Sequence, residues 1–264
     1  IRADIANTEK VKKIVQEIQP DYIFHLAAQP IVSDSYLNPI ETFKTNSLGT
    51  ANILESLKNL EKKCIAVIIT SDKAYDNIEI TRGYHEEDKL GGADPYSASK
   101  GAAELIISSY VRSFFNASDN ISIGIARAGN VIGGGDWAVN RIIPDAMRSI
   151  EKKSPLIIRS PNATRPWQHV LEPLSGYLAL AIDLTNSEKN SSQAFNFGPS
   201  FKSDHTVEQV LGEIKKSFSD LIWRTENSKT FKESTLLKLD CTKVKERIGW
   251  EASLNFSETI KLTS

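Results

Sequence analysis

Residues 65–73, with the sequence IAVIITSDK, decide the fold class. The first five of them are apolar and largely β-branched, which is typical of a strand buried on both faces of a parallel sheet. Two more short apolar runs and three helical patterns surround this stretch: Tyr22–Leu26, Ile121–Ala126, Asn7–Gln19, Pro39–Asn59 and Pro95–Phe114. Because strands and helices alternate at these lengths, the chain requires right-handed crossovers and a sheet with helices on both faces. The sequence therefore predicts a doubly wound, parallel α/β fold.

The pattern changes after about Val139. Four predicted helices follow, separated by short extended pieces: Arg141–Ile150, Leu171–Leu184, Thr206–Ser217 and Thr242–Ile248. This mixture is typical of a smaller α+β lobe. We therefore divide the chain into residues 1–138, which form the sheet domain, and residues 139–264, which form the lobe. Some exchange of chain between the two is expected.

The composition excludes several classes of protein. The chain has 32 Lys and Arg against 33 Asp and Glu, a net charge of −1, so it lacks the positive surplus that a nucleic-acid-wrapping protein needs. No run of about 18 apolar residues predicts a membrane-spanning helix. Cys64 and Cys241 are too few for a disulfide scaffold and have no metal-ligand spacing. We expect a cytoplasmic protein without nucleic acid, membrane or metal as a partner.

Tyr96 and Lys100 form the first candidate catalytic pair. Asp94 suits a helix N-cap and Pro95 suits the first helical position, so a helix start is well specified here. Tyr96 and Lys100 are four residues apart and therefore share one face of that helix. An ammonium beside a phenol lowers its pKa from about 10 and makes it a base for a sugar hydroxyl. Taken alone, the pair is more typical of an ordinary exposed tyrosine and lysine.

Ser71, Asp72 and Lys73 form the second candidate group. They follow the most strand-like run of the chain, and ligands of open parallel sheets bind at the carboxyl ends of the strands. A hydroxyl, a carboxyl and an ammonium at that place supply a hydrogen-bond donor, a proton donor and a stabilising charge. The alternative is a turn that ends the strand, since Ser and Asp are also favoured in turns.

The order of these motifs resembles the extended short-chain dehydrogenase/reductase family of nucleotide-sugar enzymes. The resemblance rests on segments along the whole chain: Leu26–Gln29, Thr45–Asn46, Ser71–Asn77, Leu90–Tyr96, Lys100, Ala126–Trp137 and Thr164–Pro173. The last two long segments are similar to those of family members that dehydrate CDP-D-glucose. The resemblance makes residues 1–138 a partial NAD-binding Rossmann domain and residues 139–264 a nucleotide-sugar-binding lobe.

The resemblance implies an internal redox dehydration that yields CDP-4-dehydro-6-deoxy-D-glucose. NAD oxidises C4, water is eliminated across C5 and C6, and hydride returns to C6. Tyr96 would be the base at the 4-hydroxyl, assisted by Ser71 and Lys100, and Asp72 would be the acid that protonates the 6-hydroxyl. Many related dehydratases have a glutamate where this chain has Lys73. Lys73 would therefore be either the base that removes the C5 proton or a cation that stabilises the enolate.

Binding residues and partners are also implied by the resemblance. The expected NAD contacts are Asp4, Ile5, Leu26, Ala27, Ala28, Thr45, Tyr96 and Lys100. The expected CDP-sugar contacts are Asn130, Arg141 and Arg165. Family members commonly dimerise through the helix that bears the tyrosine and the helix before it, so a homodimer or homotetramer is expected. The alternatives are another nucleotide-sugar 4,6-dehydratase, an epimerase of the same family, or a truncated remnant without activity.

Residues 133–138, with the sequence GGGDWA, fit the G-x-G-x-x-A dinucleotide fingerprint. We reject that interpretation, because the fingerprint belongs on the first strand–helix turn and needs an acidic residue about 20 positions later. The helical pattern begins almost at the first residue of this sequence. The family's Gly-rich turn would therefore precede Ile1. We therefore expect a fragment that lacks this segment and that, by itself, binds NAD poorly and is unstable or inactive.

Overall fold

The computed structural model describes residues 1–116, 120–187, 192–199, 205–226 and 236–264. Its strands are β1 Tyr22–His25, β2 Cys64–Ile69, β3 Ile121–Ala128, β4 Val131–Ile132, β5 Leu156–Ile158, β6 Thr164–Arg165, β7 Gln168–His169, β8 Gln193–Phe197, β9 His205–Thr206 and β10 Trp223–Thr225. Its α-helices are α1 Thr8–Ile18, α2 Val32–Leu37, α3 Pro39–Phe43, α4 Gly49–Leu57, α5 Pro95–Tyr110, α6 Ile142–Glu151, α7 Leu171–Asn186, α8 Val207–Ser217, α9 Thr242–Ile248 and α10 Phe256–Thr263. Shorter turns are the π-helical Lys44–Leu48 and Val111–Phe115 and the 3-10 helix Asp72–Ala74.

Four parallel strands form the central sheet in the order β1-β2-β3-β8. Strand β3 is buried along its whole length. Strand β2 is buried from Cys64 to Ile68, as the apolar run of that segment predicts. In β1, however, Tyr22 and Phe24 are 49% and 37% exposed. The prediction of a buried strand there is wrong, because among the described residues β1 pairs with β2 alone and lies at the sheet edge.

Helices cover both faces of the sheet. On one face, Leu54 of α4 and Ile107 of α5 pack in one apolar cluster with Ile68 of β2. On the other face, Leu180 of α7 packs in a second cluster with Val67 of the same strand. Complete burial of each such side chain stabilises the fold by about 1.5–3 kcal/mol. This two-sided layering confirms the predicted Rossmann-like α/β fold.

The chain returns to the sheet after residue 138. Helix α7 packs on β2 and β3, and β8 pairs with β3 from Gly124 to Ala128. The remaining part of residues 139–264 has an apolar cluster of its own, in which Ile143 of α6, Leu211 of α8 and Ile260 of α10 are buried. The lobe is therefore joined to the central sheet by both a helix and a strand.

The longest helices of the described segments, α5 and α7, have 16 residues each. No helix of these segments has the length and the continuous apolar character that crossing a bilayer requires.

Candidate active site

The turn after β2 presents Ser71 and Asp72 at the carboxyl end of the sheet. The Ser71 hydroxyl donates to Asp72 Oδ1 at 3.0 Å and accepts from the backbone N–H of Lys73 at 3.2 Å. Ser71 thereby caps the 3-10 helix that begins at Asp72. The segment is thus a strand-ending turn, and its geometry places both side chains beside helix α5.

Helix α5 begins where its sequence predicts. The Asp94 carboxylate accepts from the backbone N–H and the hydroxyl of Ser97 at 2.9 and 2.6 Å, and Pro95 occupies the first turn. Tyr96 and Lys100 follow on this helix and are both buried. A well-capped start fixes the direction in which these two side chains point.

The loop after Asp72–Ala74 pairs with the loop that leads into α5. The backbone N–H of Gly91 donates to Ala74 O at 2.9 Å, and that of Asp76 donates to Lys89 O at 2.8 Å. A Cβ on Gly101 of α5 would lie 2.5 Å from Gly91 O. The absence of a side chain at residue 101 therefore lets the loop contact the helix backbone directly.

Ser71, Asp72 and Arg141 converge on the Tyr96 phenol. The pKa of Tyr96 is raised to about 12, chiefly by burial and also by the Asp72 charge, although a hydrogen bond with Ser71 and the charge of Arg141 oppose the rise. The expected lowering by Lys100 is not found. Burial instead lowers the pKa of the Lys100 ammonium to about 8, because desolvation disfavours the charged form of both groups.

Asp72 is a buried carboxyl with one unused oxygen. Burial raises its pKa, which the charge of Lys73, the hydrogen bond from Ser71 and the charge of Arg165 partly oppose. Among the described residues, Asp72 Oδ2 has no hydrogen-bond partner. A buried carboxyl with a raised pKa and a free oxygen has the chemistry to donate a proton to a leaving group.

Gly129 provides the space for that oxygen. A Cβ on Gly129 would lie 2.5 Å from Pro166 Cγ and 3.3 Å from Asp72 Oδ2. We expect Gly129→Ala to cost about 1–3 kcal/mol of folding free energy, as overpacking does, and to lower Tm by several degrees. Gly134→Ala is the matched control, because a Cβ there meets nothing within 4 Å. Thermal unfolding checks both variants, and equal Tm values for the two would contradict the close contact.

The three residues predicted to bind the sugar nucleotide lie around this group. Asn130 follows β3, and its backbone oxygen accepts from Gln168 N–H at 3.1 Å. Arg141 Nη1 lies 3.1 Å from Asp136 Oδ2. Arg165 is buried and close enough to Asp72 to lower its pKa. The structure therefore brings the two arginines to the electrostatic surroundings of Tyr96 and Asp72.

Three of the residues predicted to bind the cofactor follow β1. Leu26 and Ala27 are exposed and Ala28 is half-buried, at the carboxyl end of β1. Asn46 fixes the loop that they begin, because its Oδ1 accepts from Gln29 N–H at 2.8 Å and its Nδ2 donates to Ser99 Oγ at 2.9 Å. This link from the turn of Thr45–Asn46 to the residue before Lys100 was not predicted, since the sequence places the two 53 residues apart.

Ile5 lies against helix α4, and Asp4 before it is exposed. Ile5 O accepts from Asn52 Nδ2 at 2.8 Å, and a Cβ on Gly49 would lie 2.6 Å from Ile5 Cδ1. The half-buried Thr45 precedes this helix. Leu26 and Ala27 are exposed after a parallel strand, which is where open α/β sheets bind a dinucleotide. Their position is therefore compatible with the predicted cofactor contacts.

His25 is a buried histidine at the end of β1, directly before Leu26. Its Nε2 lies 3.2 Å from Thr50 Oγ1, and burial together with the Lys100 charge lowers its pKa to about 4. The unfolded chain, with a histidine pKa of about 6.5, binds this proton first as the pH falls. Stability is therefore full above pH 6.5 and falls by up to about 1.4 kcal/mol per pH unit between pH 6.5 and 4.

We expect His25→Gln to flatten this dependence. Urea unfolding at pH 4.5 and pH 7 measures it, and the exposed His85→Gln is the control. An unchanged slope in His25→Gln would contradict the assignment.

Residues 133–138 do not lead directly into a helix, since α6 begins at Ile142.

His169 is buried, and its Nδ1 accepts from Leu171 N–H at 3.3 Å. Within the described segments, no group of three acidic, histidine or cysteine side chains could hold a metal ion.

Comparison with known proteins identifies the class of this chain. The sequence profile of the GDP-mannose 4,6-dehydratase family matches residues 1–263, so the chain belongs to this family of nucleotide-sugar enzymes. The CDP-glucose 4,6-dehydratase of Salmonella typhimurium is 44% identical over 262 residues, which are 97% of this chain and 73% of the relative. The resemblance predicted from the motifs is thereby confirmed.

Solved structures of related enzymes have the same fold. An epimerase from Methanothermobacter thermautotrophicus matches with a TM-score of 0.87 and 24% identity over 100% of this chain and 76% of its own. The UDP-glucuronic acid 4-epimerase of Bacillus cereus, in complex with UDP-glucuronic acid and NAD, matches with a TM-score of 0.84 and 21% identity over 100% and 79%. At these identities the likeness concerns the fold alone.

Proposed function

We propose that this protein dehydrates CDP-D-glucose to CDP-4-dehydro-6-deoxy-D-glucose with NAD as its cofactor. The buried Asp72 carboxyl is the observation that carries this proposal, because an Oδ2 unpaired among the described residues and a raised pKa suit a group that gives a proton to the departing 6-hydroxyl. A 4-epimerase has no leaving hydroxyl and needs no such acid. The 44% identity to the Salmonella enzyme supports the CDP-activated substrate.

Each reacting atom has a residue of suitable chemistry. Tyr96 accepts the proton of the 4-hydroxyl, and Ser71 donates a hydrogen bond to the same oxygen. NAD, when bound, would supply the hydride acceptor for oxidation at C4 and the hydride donor for reduction at C6. The 4-ketone acidifies C5–H; loss of that proton and rupture of the C6–O bond, with a proton from Asp72, release water.

The cations of the site have separate tasks in this proposal. Because burial holds the pKa of Tyr96 at about 12, positive charge near the phenol is required for it to act as a base. Arg141 supplies such charge, and Lys100 would hold the ribose of the cofactor. Lys73 is half-buried next to Asp72 and either removes the C5 proton or stabilises the resulting enolate as a cation.

The test is conversion of the nucleotide sugar. The purified protein is incubated with NAD and CDP-glucose, and the 4-keto product is followed by its absorbance in base. Parallel reactions with UDP-glucose, dTDP-glucose and GDP-mannose test the other members of the family. We expect the highest kcat/KM for CDP-glucose. Conversion of another nucleotide sugar alone, or epimerisation without loss of water, would overturn the proposal.

We further propose that the protein is a homodimer built on α4 and α5. The sheet buries Ile107, but Leu48, Leu105 and Phe114 of these helices and their adjoining turns are 57%, 63% and 48% exposed. A C2 dimer would bury this apolar surface against its own copy. Light scattering is expected to give about twice the 29.3 kDa of the chain, and Leu105→Glu to give the monomer mass. A dimer that persists in Leu105→Glu would contradict this surface.

Both cysteines are unpaired in the structure. This supports our proposal that the protein functions in the reducing cytoplasm.

A further inference from the structure

One buried carboxylate connects the two halves of the candidate site. Glu104 lies on α5 one helical turn after Lys100 and two turns after Tyr96, so the three side chains share a face. Glu104 Oε1 accepts a hydrogen bond from Thr70 Oγ1 at 2.6 Å. Thr70 directly precedes Ser71, and its backbone N–H donates to Ala126 O at 2.9 Å. This O–H···O bond joins the helix of the phenol to the strand end of the acid.

The same carboxylate is fixed by an arginine from the next strand. Arg127 of β3 donates from Nε to Glu104 Oε1 at 2.7 Å and from Nη2 to Oε2. Its Nη1 donates to the Tyr75 hydroxyl at 2.8 Å. That hydroxyl in turn donates to Asn196 Oδ1 at 2.7 Å. All of these residues are buried. The carboxylate oxygen that receives the Thr70 hydroxyl is therefore held in place from three strands of the sheet.

Stability alone does not account for this arrangement. Burial of an ion pair costs desolvation energy, and well-packed apolar residues often give the same or greater stability. Apolar contacts, however, are non-directional and allow a helix to shift along a sheet. A bidentate pair and a charge-assisted hydrogen bond specify both distance and angle. The network therefore contributes a fixed separation, which apolar packing cannot supply.

We infer that Thr70 and Glu104 are positioning residues that set the distance between Ser71–Asp72 and Tyr96. This inference rests on the proposed function for its kinetic consequence. The Thr70 hydroxyl keeps the strand end in register with α5, so that the hydroxyl of Ser71 and the phenol of Tyr96 meet at one substrate oxygen. Displacement of a catalytic group by about 1 Å can cost about 100-fold in rate.

Thr70→Val and Thr70→Ser form a matched pair for the test. Valine keeps the shape of threonine but removes the hydroxyl, whereas serine keeps the hydroxyl and removes a methyl group. With CDP-glucose and NAD, we expect Thr70→Val to lower kcat by about 10-fold or more with KM within two-fold of the parent. Thr70→Ser is expected to retain most of the activity. Thermal unfolding of both variants tests whether a loss of stability explains the result.

Crystal structures of the two variants provide a measure that does not depend on turnover. We expect the distance from Ser71 Oγ to the Tyr96 hydroxyl to increase in Thr70→Val and to stay unchanged in Thr70→Ser. An unchanged distance in Thr70→Val, equal kcat values for the two variants, or a change confined to KM would overturn the inference. If the parent protein does not convert CDP-glucose, the proposed function fails and the two distances still decide the positioning role.

Discussion

Replacement of Tyr96 by phenylalanine is expected to lower kcat for CDP-glucose by about 10²–10⁴-fold, the usual contribution of a positioned acid or base. The ring of Tyr96 is buried, and phenylalanine preserves its packing while removing the oxygen that accepts the proton. Because the fold and the arginines of the site are retained, KM should change little. Steady-state kinetics with the base-induced absorbance of the 4-keto product measures both constants.

Tyr110→Phe is the matched control for this prediction. Tyr110 lies on the same helix, is half-buried, and donates its hydroxyl to Glu55 Oε2 at 3.1 Å on the far side from the site. We expect its kcat to stay within two-fold of the parent value. Comparable losses in Tyr96→Phe and Tyr110→Phe would show that a hydroxyl on α5 matters for folding rather than for proton transfer.

Asp72→Asn is expected to separate oxidation from dehydration. Asparagine has the shape of the carboxyl group but cannot protonate the leaving 6-hydroxyl, so formation of the 6-deoxy product should fall by about 10²–10⁴-fold. The C5 proton remains acidic whenever the 4-ketone forms. In D₂O the recovered CDP-glucose should therefore carry deuterium at C5, which mass spectrometry detects.

The stability of Asp72→Asn should equal or exceed that of the parent. Burial raises the pKa of Asp72, so its folded-state proton is lost at higher pH than in the unfolded chain, and the parent loses stability as the pH rises through that window. Asparagine remains neutral throughout. The half-buried Asp76→Asn, which loses an ion pair with the exposed Lys89, is the control. Product formation by Asp72→Asn within a few-fold of the parent would exclude Asp72 as the acid.

Local sequence features predicted the placement of the main candidate groups. The cap at Asp94, the proline after it and the spacing of Tyr96 and Lys100 are properties of one helix. The position of Ser71 and Asp72 follows from the apolar strand before them. The start of α5 and the turn after β2 depend only on neighbouring residues, through periodicity and turn chemistry. The structure contains both features.

Long-range contacts and burial could not be predicted in this way. The link from Thr70 to Glu104 spans 34 residues and the Asn46 link to Ser99 spans 53. The spacing of Glu104 four residues after Lys100 was a visible signal of a shared face. The direction of the Tyr96 pKa shift was wrong in the sequence-based prediction, because desolvation depends on everything packed around the phenol and not on its helical neighbour.

The return of β8 to the sheet limits how this molecule can be divided. A chain cut between residues 138 and 139 would leave β3 without its partner β8, and would remove α7 from the apolar cluster that it forms with β2. Neither half would then retain a complete hydrophobic interior. Exchange of the sugar-recognising half between homologues would consequently require two separate segments to be replaced, one before α7 and one after β8.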